Sequence, residues 1–143
     1  MLRKTLVPLV VVVLVACSAG VAQERPHTPG QGNPERKAIL DALRVPVEKR
    51  LKRKVVFKVD ELKVLDGWAF VRGVPQQPGG KPMDYSGTPY QQQRDDGAFD
   101  DGFSALLRAK GGKWSVVTYN IGATDVVWAD WAEKYKAPPE IFN

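Results

Sequence analysis

Residues 55–74 read VVFKVDELKVLDGWAFVRGV, two strand-like runs joined by a short turn. Asp66-Gly67 predicts that turn, because this dipeptide readily adopts the positive φ angles of a two-residue hairpin loop. Phe57 and Leu62 fall on opposite parities of the first run. One extra residue near Asp60 would restore a continuous apolar face, so the sequence predicts a β-bulge there. Residues 55–74 therefore predict an antiparallel hairpin.

Regular elements are also predicted on both sides of this hairpin. Residues 34–53 repeat apolar side chains every three or four positions, and Asn33 precedes them as a predicted N-cap. Pro46 lies inside this helical pattern and predicts a kink or a restart, since proline cannot donate to the carbonyl four residues back. Residues 103–122 predict a second hairpin around Gly111-Gly112.

A short C-terminal helix is predicted after the second hairpin. Thr124 or Asp125 is expected to cap it, and the sequence Ala-Pro-Pro at residues 137–139 is expected to end it. Runs of hairpin-linked strands between two helices favour an α+β fold. We therefore expect a kinked N-terminal helix packed on a curved antiparallel sheet of about four strands, with a short C-terminal helix.

Residues 1–22 have the composition of an export signal. Arg3 and Lys4 precede an uncharged apolar run over residues 6–16, and small residues follow it. A membrane-spanning helix needs about twenty apolar residues, so this run is too short to cross a bilayer and suits a signal peptide. The sequence therefore predicts export.

Two processing routes are consistent with this signal. Residues 14–17, LVAC, resemble a bacterial lipobox, in which Cys17 is lipidated and becomes the new N-terminus. Acyl chains would then hold the protein at a membrane surface. Cleavage before Gln23 would instead release it into the periplasm or the medium.

Composition divides the rest of the chain into a tether and one domain. Residues 23–33 are rich in Pro, Gly and Gln and predict a flexible tether, which leaves residues 34–143 as a single α+β domain. Within it, residues 75–102 contain many prolines and glycines and predict an irregular loop. A loop of that length is either functional or a mobile insertion.

The chain has one cysteine and one histidine, and neither lies in the predicted domain. Cys17 belongs to the signal segment and His27 to the tether. The domain therefore has no Ser–His or Cys–His nucleophile, no Cys/His zinc site and no histidine for haem. It also lacks a glycine-rich phosphate loop. The sequence predicts no cofactor and no metal.

The charge balance argues against a nucleic acid partner. Removing Arg3 and Lys4 from the 21 basic residues leaves 19 against 16 acidic residues, a net charge of +3. So mild a balance does not indicate nucleic acid binding.

Two charged clusters each have a functional and a plain reading. Residues 49–54 hold five bases, which could contact anionic lipid head groups or envelope polymers, or could be a solvated helix end. Residues 95–102 hold four carboxylates, which could bind a hard cation or simply keep a loop hydrated. The solvated reading is favoured for both clusters.

Aromatic and acidic residues supply the remaining candidates. Six aromatic side chains could line an apolar ligand cavity, although their spacing is more typical of core: Trp68, Phe70, Trp114, Tyr119, Trp128 and Trp131. Acid–base chemistry would have to use carboxylates and tyrosine, and the candidates are Asp60, Asp84, Tyr85, Asp100 and Asp125. The sequence selects none of these five, so no catalytic residue is assigned.

Residues 64–73 (VLDGWAFVRG) and 105–117 (ALLRAKGGKWSVV) resemble the hairpins of nuclear transport factor 2-like domains, in the SnoaL-like group. The resemblance implies a cystatin-like α+β cone, a fold whose members include isomerases, cyclases and binding modules. It covers about a third of the domain. The catalytic histidine of such enzymes has no counterpart here, so no catalytic residue is carried over. As a whole, the chain resembles uncharacterised exported bacterial proteins.

Two functions are consistent with these observations. The favoured one is a non-catalytic binding or interaction module of the cell envelope, whose partner is a small apolar ligand or an envelope protein. The alternative is a SnoaL-like enzyme that uses Asp and Tyr for proton transfer on a small apolar substrate. A sheet interior filled by side chains would speak against the enzyme, because it would leave no enclosed chamber for a substrate.

Overall fold

The computed structural model describes Gly20 and residues 22–143. The apolar run and Cys17 lie outside the described residues, so the export signal and its lipidation stay predictions. Across the described part of the chain, no helix has both the length and the apolar character that a membrane crossing requires.

The described chain forms an α+β fold. Its elements in order are α1 (Pro34–Leu51), β1 (Val56–Leu65), β2 (Trp68–Gln77), β3 (Lys81–Pro82), α2 (Gln91–Asp95), β4 (Phe103–Lys110), β5 (Lys113–Ile121), α3 (Trp131–Tyr135) and a 3₁₀ helix (Pro139–Phe142). The strands form one open antiparallel sheet in the order β1-β2-β4-β5, and β3 pairs with the end of β2. The predicted fold class is confirmed, and the arrangement is consistent with a cone-like fold.

The first hairpin forms as its turn and parity predict. Asp66 and Gly67 have φ angles of 50° and 74°, the positive values that a tight hairpin turn requires. The pairing of β1 with β2 shifts register between Val59 and Glu61, which leaves Asp60 as the extra residue. The predicted β-bulge is therefore confirmed, and it places Leu62 in the same buried cluster as α1.

Helix α1 begins at its predicted cap. The Asn33 side chain accepts a hydrogen bond from the backbone N–H of Glu35 at 2.8 Å, and Pro34 occupies the first turn. The helix continues through Pro46 and does not restart there. It ends at Leu51, two residues before the predicted end, because Lys52 adopts the left-handed conformation with φ 54°.

Both faces of the sheet are covered. On the helix face, Ile39, Leu43, Val47 and Leu51 of α1 pack on side chains from all four long strands, among them Leu62, Val71, Ala105, Leu107 and Ile121. On the C-terminal face, the segment after β5 packs on the sheet through Trp131, Ala137 and Ile141, which contact the cluster of Leu65, Trp68, Phe70 and Leu106. The sheet is thus the middle of three layers.

The predicted irregular loop contains more regular structure than expected. Strand β2 continues through Pro75 to Gln77, and β3 and α2 also lie within residues 75–102. Proline is tolerated where a strand lacks a neighbour on one side. The β2–β4 pairing ends at Gly73 opposite Phe103, so Pro75 has only β1 beside it.

The C-terminal helix is shorter than predicted and begins later. Helix α3 starts at Trp131, so neither Thr124 nor Asp125 is its cap. Consecutive tight turns precede it, with backbone hydrogen bonds from Val127 to Asp125 and from Trp131 to Trp128. These turns place apolar side chains on the sheet at a spacing that resembles helical periodicity.

The range predicted as a tether includes residues that contact the domain. His27 and Val64 exchange two backbone hydrogen bonds of 2.9 and 2.8 Å at the edge of β1. The His27 ring also lies 2.8 Å from a Glu35 carboxylate oxygen, and Pro29 is buried. Residues 27–30 therefore lie against the domain.

Candidate functional site

The six candidate cavity aromatics lie on opposite faces of the sheet. Trp114 and Tyr119 pack against the helix-face cluster, whereas the other four, Trp68, Phe70, Trp128 and Trp131, belong to the C-terminal face. The six side chains therefore do not line one shared cavity. On the C-terminal face the rings pack on one another, with Phe70 5.8 Å from Trp128 and 6.3 Å from Trp131 between centroids. Trp68, Phe70 and Trp131 are buried core residues, whereas Trp128 is partly buried.

Three of the candidate carboxylates come together in one surface depression. Asp60, Asp100 and Asp125 line a concavity of about 300 Å³ on the C-terminal face. We call it the polar cup, and its other lining residues include Arg72, Ser104, Asn120, Thr124 and Trp128. All three aspartates are exposed.

The floor of the polar cup is built from three neighbouring strands. Arg72 of β2 pairs with Ser104 of β4, which in turn pairs with Asn120 of β5, so the three side chains share one face at one register. Ser104 is only 5% exposed. The Asn120 Oδ1 atom is buried and has no hydrogen-bond partner among the described residues.

Arg72 is already engaged by protein groups. Its guanidinium lies 3.3 Å from a Glu61 carboxylate oxygen and 4.4 Å from the ring centroid of Trp128. Both contacts hold a cation in place. The floor of the cup is therefore preformed, and Glu61 shares its charge between Arg72 and Lys63, which lies 3.1 Å from its other oxygen.

The second site is a groove where α1 ends. It has a volume of about 500 Å³, and we call it the basic groove; it is lined by Pro46, Lys49, Arg50, Lys52, Gly87, Pro89 and Tyr119. In the described part of the chain, Lys49, Arg50 and Lys52 form no ion pair with a carboxylate. The nearby Arg53 and Lys54 do, with Asp84 and Glu48.

Arg53 fastens one wall of the basic groove. Its guanidinium donates to the Ser86 carbonyl at 3.0 Å and lies 3.2 Å from Asp84, while the Asp84 carboxylate accepts from the Ser86 backbone N–H at 2.9 Å. The loop that carries Gly87 and Pro89 is thereby tied to the end of α1. The groove is therefore preformed, which lowers the entropic cost of binding.

Tyr119 supplies a neutral phenol to the groove. Burial raises the pKa of Tyr119 above its ordinary value, since it penalises the phenolate form. The phenol can therefore donate or accept a hydrogen bond at neutral pH. Together with the two prolines, its ring gives the basic groove an apolar part beside its cations.

The loop contacts predict how the Asp84 carboxyl titrates. Hydrogen bonds from Ser86, and then the Arg53 charge, lower the pKa of Asp84, so Asp84 stabilises the fold above its ordinary pKa and that stabilisation is lost as the pH falls. Because Ser86 is the larger cause, Arg53→Ala should raise the pKa of Asp84 only partway towards its ordinary value. Side-chain carboxyl titration by ¹³C NMR would measure it. A complete return in Arg53→Ala would contradict the role given to Ser86.

Asp84 and Tyr85 do not form an acid–base pair. Hydrogen bonds lower the pKa of Asp84, which makes it a weak base, and burial raises the pKa of Tyr85, which makes it a weak acid. The Tyr85 hydroxyl is buried without a hydrogen-bond partner among the described residues. Nor do three or more His, Cys, Asp or Glu side chains in this part of the chain form a group that could hold a metal ion.

Sequence reasoning did not identify the polar residues between the three aspartates. Arg72, Ser104 and Asn120 belong to one site only through cross-strand register, which the sequence of any single strand does not show. The sequence did contain one signal: Arg72 and Ser104 are polar residues within the otherwise mostly apolar strands β2 and β4.

No protein-family model matches this chain, and neither a curated protein nor a solved structure matches it. The resemblance to nuclear transport factor 2-like domains therefore stays a prediction.

Proposed function

We propose that this protein is an exported, non-catalytic binding module of the cell envelope that binds an anionic ligand in the basic groove. One observation carries the proposal. Lys49, Arg50 and Lys52 converge on a preformed groove, and none of the three is engaged by a carboxylate in the described chain. Export rests on the signal-like residues 1–22.

The filled interior favours a binding module over an enzyme. Side chains of the helix-face cluster, such as Leu43, Val71 and Leu107, are 0% exposed and occupy the space between α1 and the sheet. A SnoaL-like enzyme with Asp and Tyr would need both groups beside one substrate. Here the cup aspartates lie on the C-terminal face, whereas Tyr119 packs on the helix face.

The composition of the groove indicates the chemistry of its ligand. Three cations suit a phosphate or carboxylate group, and each charge-assisted hydrogen bond is worth about 1.5–3 kcal/mol. Pro46, Pro89 and Tyr119 offer an apolar surface alongside. We expect an anionic head joined to an apolar part, a description that fits both an anionic lipid and a soluble aromatic phosphate.

Titration with two probes tests the proposal and distinguishes these sources. Phenyl phosphate represents a soluble ligand, and phosphatidylglycerol vesicles, compared with phosphatidylcholine vesicles, represent a lipid surface. In the full-length chain, phenyl phosphate or anionic vesicles should shift the amide resonances of residues 47–52 and 87–88. Lys49→Gln/Arg50→Gln/Lys52→Gln should weaken binding about tenfold or more, since three charge-assisted contacts are removed.

The matched control is a triple variant with the same net charge as the groove variant. Lys58→Gln/Lys110→Gln/Lys113→Gln removes three exposed cations that do not line the groove. This control should change the affinity by less than about twofold, because scattered surface charges are screened by salt. Equal weakening by both triple variants would show general electrostatic attraction and would overturn the proposal. A protein that binds neither phenyl phosphate nor anionic vesicles would also overturn it.

A further inference from the structure

We propose that the polar cup is a second binding site, independent of the basic groove, and that it takes a small organic cation with N–H donors, an ammonium or guanidinium compound. The two sites lie on different faces of the molecule and share no lining residue. They also differ in charge, since the cup is lined by three carboxylates and one cation and the groove by three cations.

One hydrogen-bond acceptor on the floor of the cup has no donor among the described residues. Asn120 Oδ1 is buried without a partner, and a buried acceptor that no donor reaches destabilises the fold. Ser104 adds a buried hydroxyl beside it, at 5% exposure. Because this oxygen has almost no accessible surface, a ligand N–H would satisfy it once the Asn120 side chain turns Oδ1 towards the cup.

The charges around the cup select a cation. In the described chain Asp60, Asp100 and Asp125 form no ion pair, whereas Arg72 is engaged by Glu61 at 3.3 Å. A carboxylate without an ion-pair partner attracts a cation and repels an anion. The chain has a formal net charge of +5, so its overall field disfavours a cationic ligand. The attraction for the cation therefore comes from the three carboxylates that line the cup.

The spacing of the carboxylates favours an organic cation over a metal ion. Among the described residues, the acidic side chains do not converge into a group that could hold a metal. The cup has a volume of about 300 Å³, the lower end of the range for small-molecule pockets. A ligand of several atoms can reach separate carboxylates, which a single ion cannot.

Agmatine is a suitable probe because it carries a guanidinium at one end and an ammonium at the other. In ¹⁵N-resolved titrations of the full-length chain, agmatine should shift the resonances of Arg72, Ser104 and Asn120. Asp60→Asn/Asp125→Asn should weaken its binding about tenfold, since two charge-assisted contacts become neutral. Asn120→Ala should weaken it further by removing the floor acceptor.

Asp130→Asn is the matched control for Asp125→Asn alone, because each of these variants removes one carboxylate charge. Asp130 is an exposed aspartate of the same C-terminal segment, but it does not line the cup, so this variant should bind agmatine with unchanged affinity. Equal weakening by Asp130→Asn would overturn the proposal. So would unshifted cup resonances at about 10 mM agmatine, where even a millimolar site is largely occupied, or binding of neutral glucose but not of agmatine.

Discussion

Replacing Phe70 by alanine should lower the free energy of unfolding by about 3–5 kcal/mol, the usual cost of removing a fully buried phenylalanine ring. Phe70 is 0% exposed. Its ring centroid lies 4.8 Å from that of Phe142 and 5.8 Å from that of Trp128. The substitution would thus leave a cavity between the sheet and the C-terminal segment, where neighbouring aromatic rings cannot easily close it.

Urea denaturation and thermal unfolding would measure this loss. For a domain of this size, a loss of about 1 kcal/mol lowers Tm by about 4–8 °C, so Phe70→Ala should lower it by well over 10 °C. Phe57→Ala is the matched control, because Phe57 lies in the same sheet but is only half-buried. Phe57→Ala should lower the free energy of unfolding by clearly less, since Phe57 buries less apolar surface on folding. Equal losses in both variants would contradict the central position given to Phe70.

The packing around Phe70 also connects the stability of the fold to the polar cup. Trp128 packs against Phe70 and at the same time lines the polar cup beside Asp125. Loosening the C-terminal segment should therefore weaken agmatine binding in Phe70→Ala. The basic groove lies on the other side of the sheet, and phenyl phosphate binding there should change much less under conditions where the variant is still folded.

The elements that sequence predicted well depend on local physical chemistry. Asp66-Gly67 allows positive φ angles, Asn33 caps a helix through its own side chain, and the parity of Phe57 and Leu62 requires an extra residue between them. Each of these signals lies within a few positions of the structure it determines. They define the first hairpin and the start of α1 without reference to the rest of the chain.

The C-terminal segment shows where local signals are ambiguous. The spacing of Trp128, Trp131 and Tyr135 fits a helix, yet the residues before Trp131 form tight turns. Apolar periodicity reports which side chains are buried, and turns packed on a sheet can bury the same positions as a helix. Tertiary packing on the C-terminal face decides between the two.

The candidate sites depend on relations that cross the chain. Asp60, Asp100 and Asp125 line one depression because the bulge in β1, the loop before β4 and the turns after β5 lie at the same end of the sheet. The basic groove likewise needs the loop at Gly87 to lie beside the end of α1. The sequence identified the three aspartates of the cup and the three cations of the groove, but Arg72 and the other lining residues follow only from the fold.

Replacing Gly73 by alanine should destabilise the fold by about 3 kcal/mol, the upper end of the usual cost of overpacking. A Cβ atom at Gly73 would overlap the Lys58 carbonyl oxygen and lie 3.0 Å from its carbon, and these are backbone atoms that cannot rotate away. Gly73 pairs with Val59 next to the bulge at Asp60, so the strands would have to separate where the polar cup begins.

Gly30→Ala is the control, because a Cβ atom at Gly30 meets nothing within 4 Å and the φ angle of Gly30 is not positive. This variant should change the free energy of unfolding by less than about 0.5 kcal/mol. Urea denaturation would compare the two variants, and wild-type stability in Gly73→Ala would show that β1 and β2 do not approach so closely at the bulge.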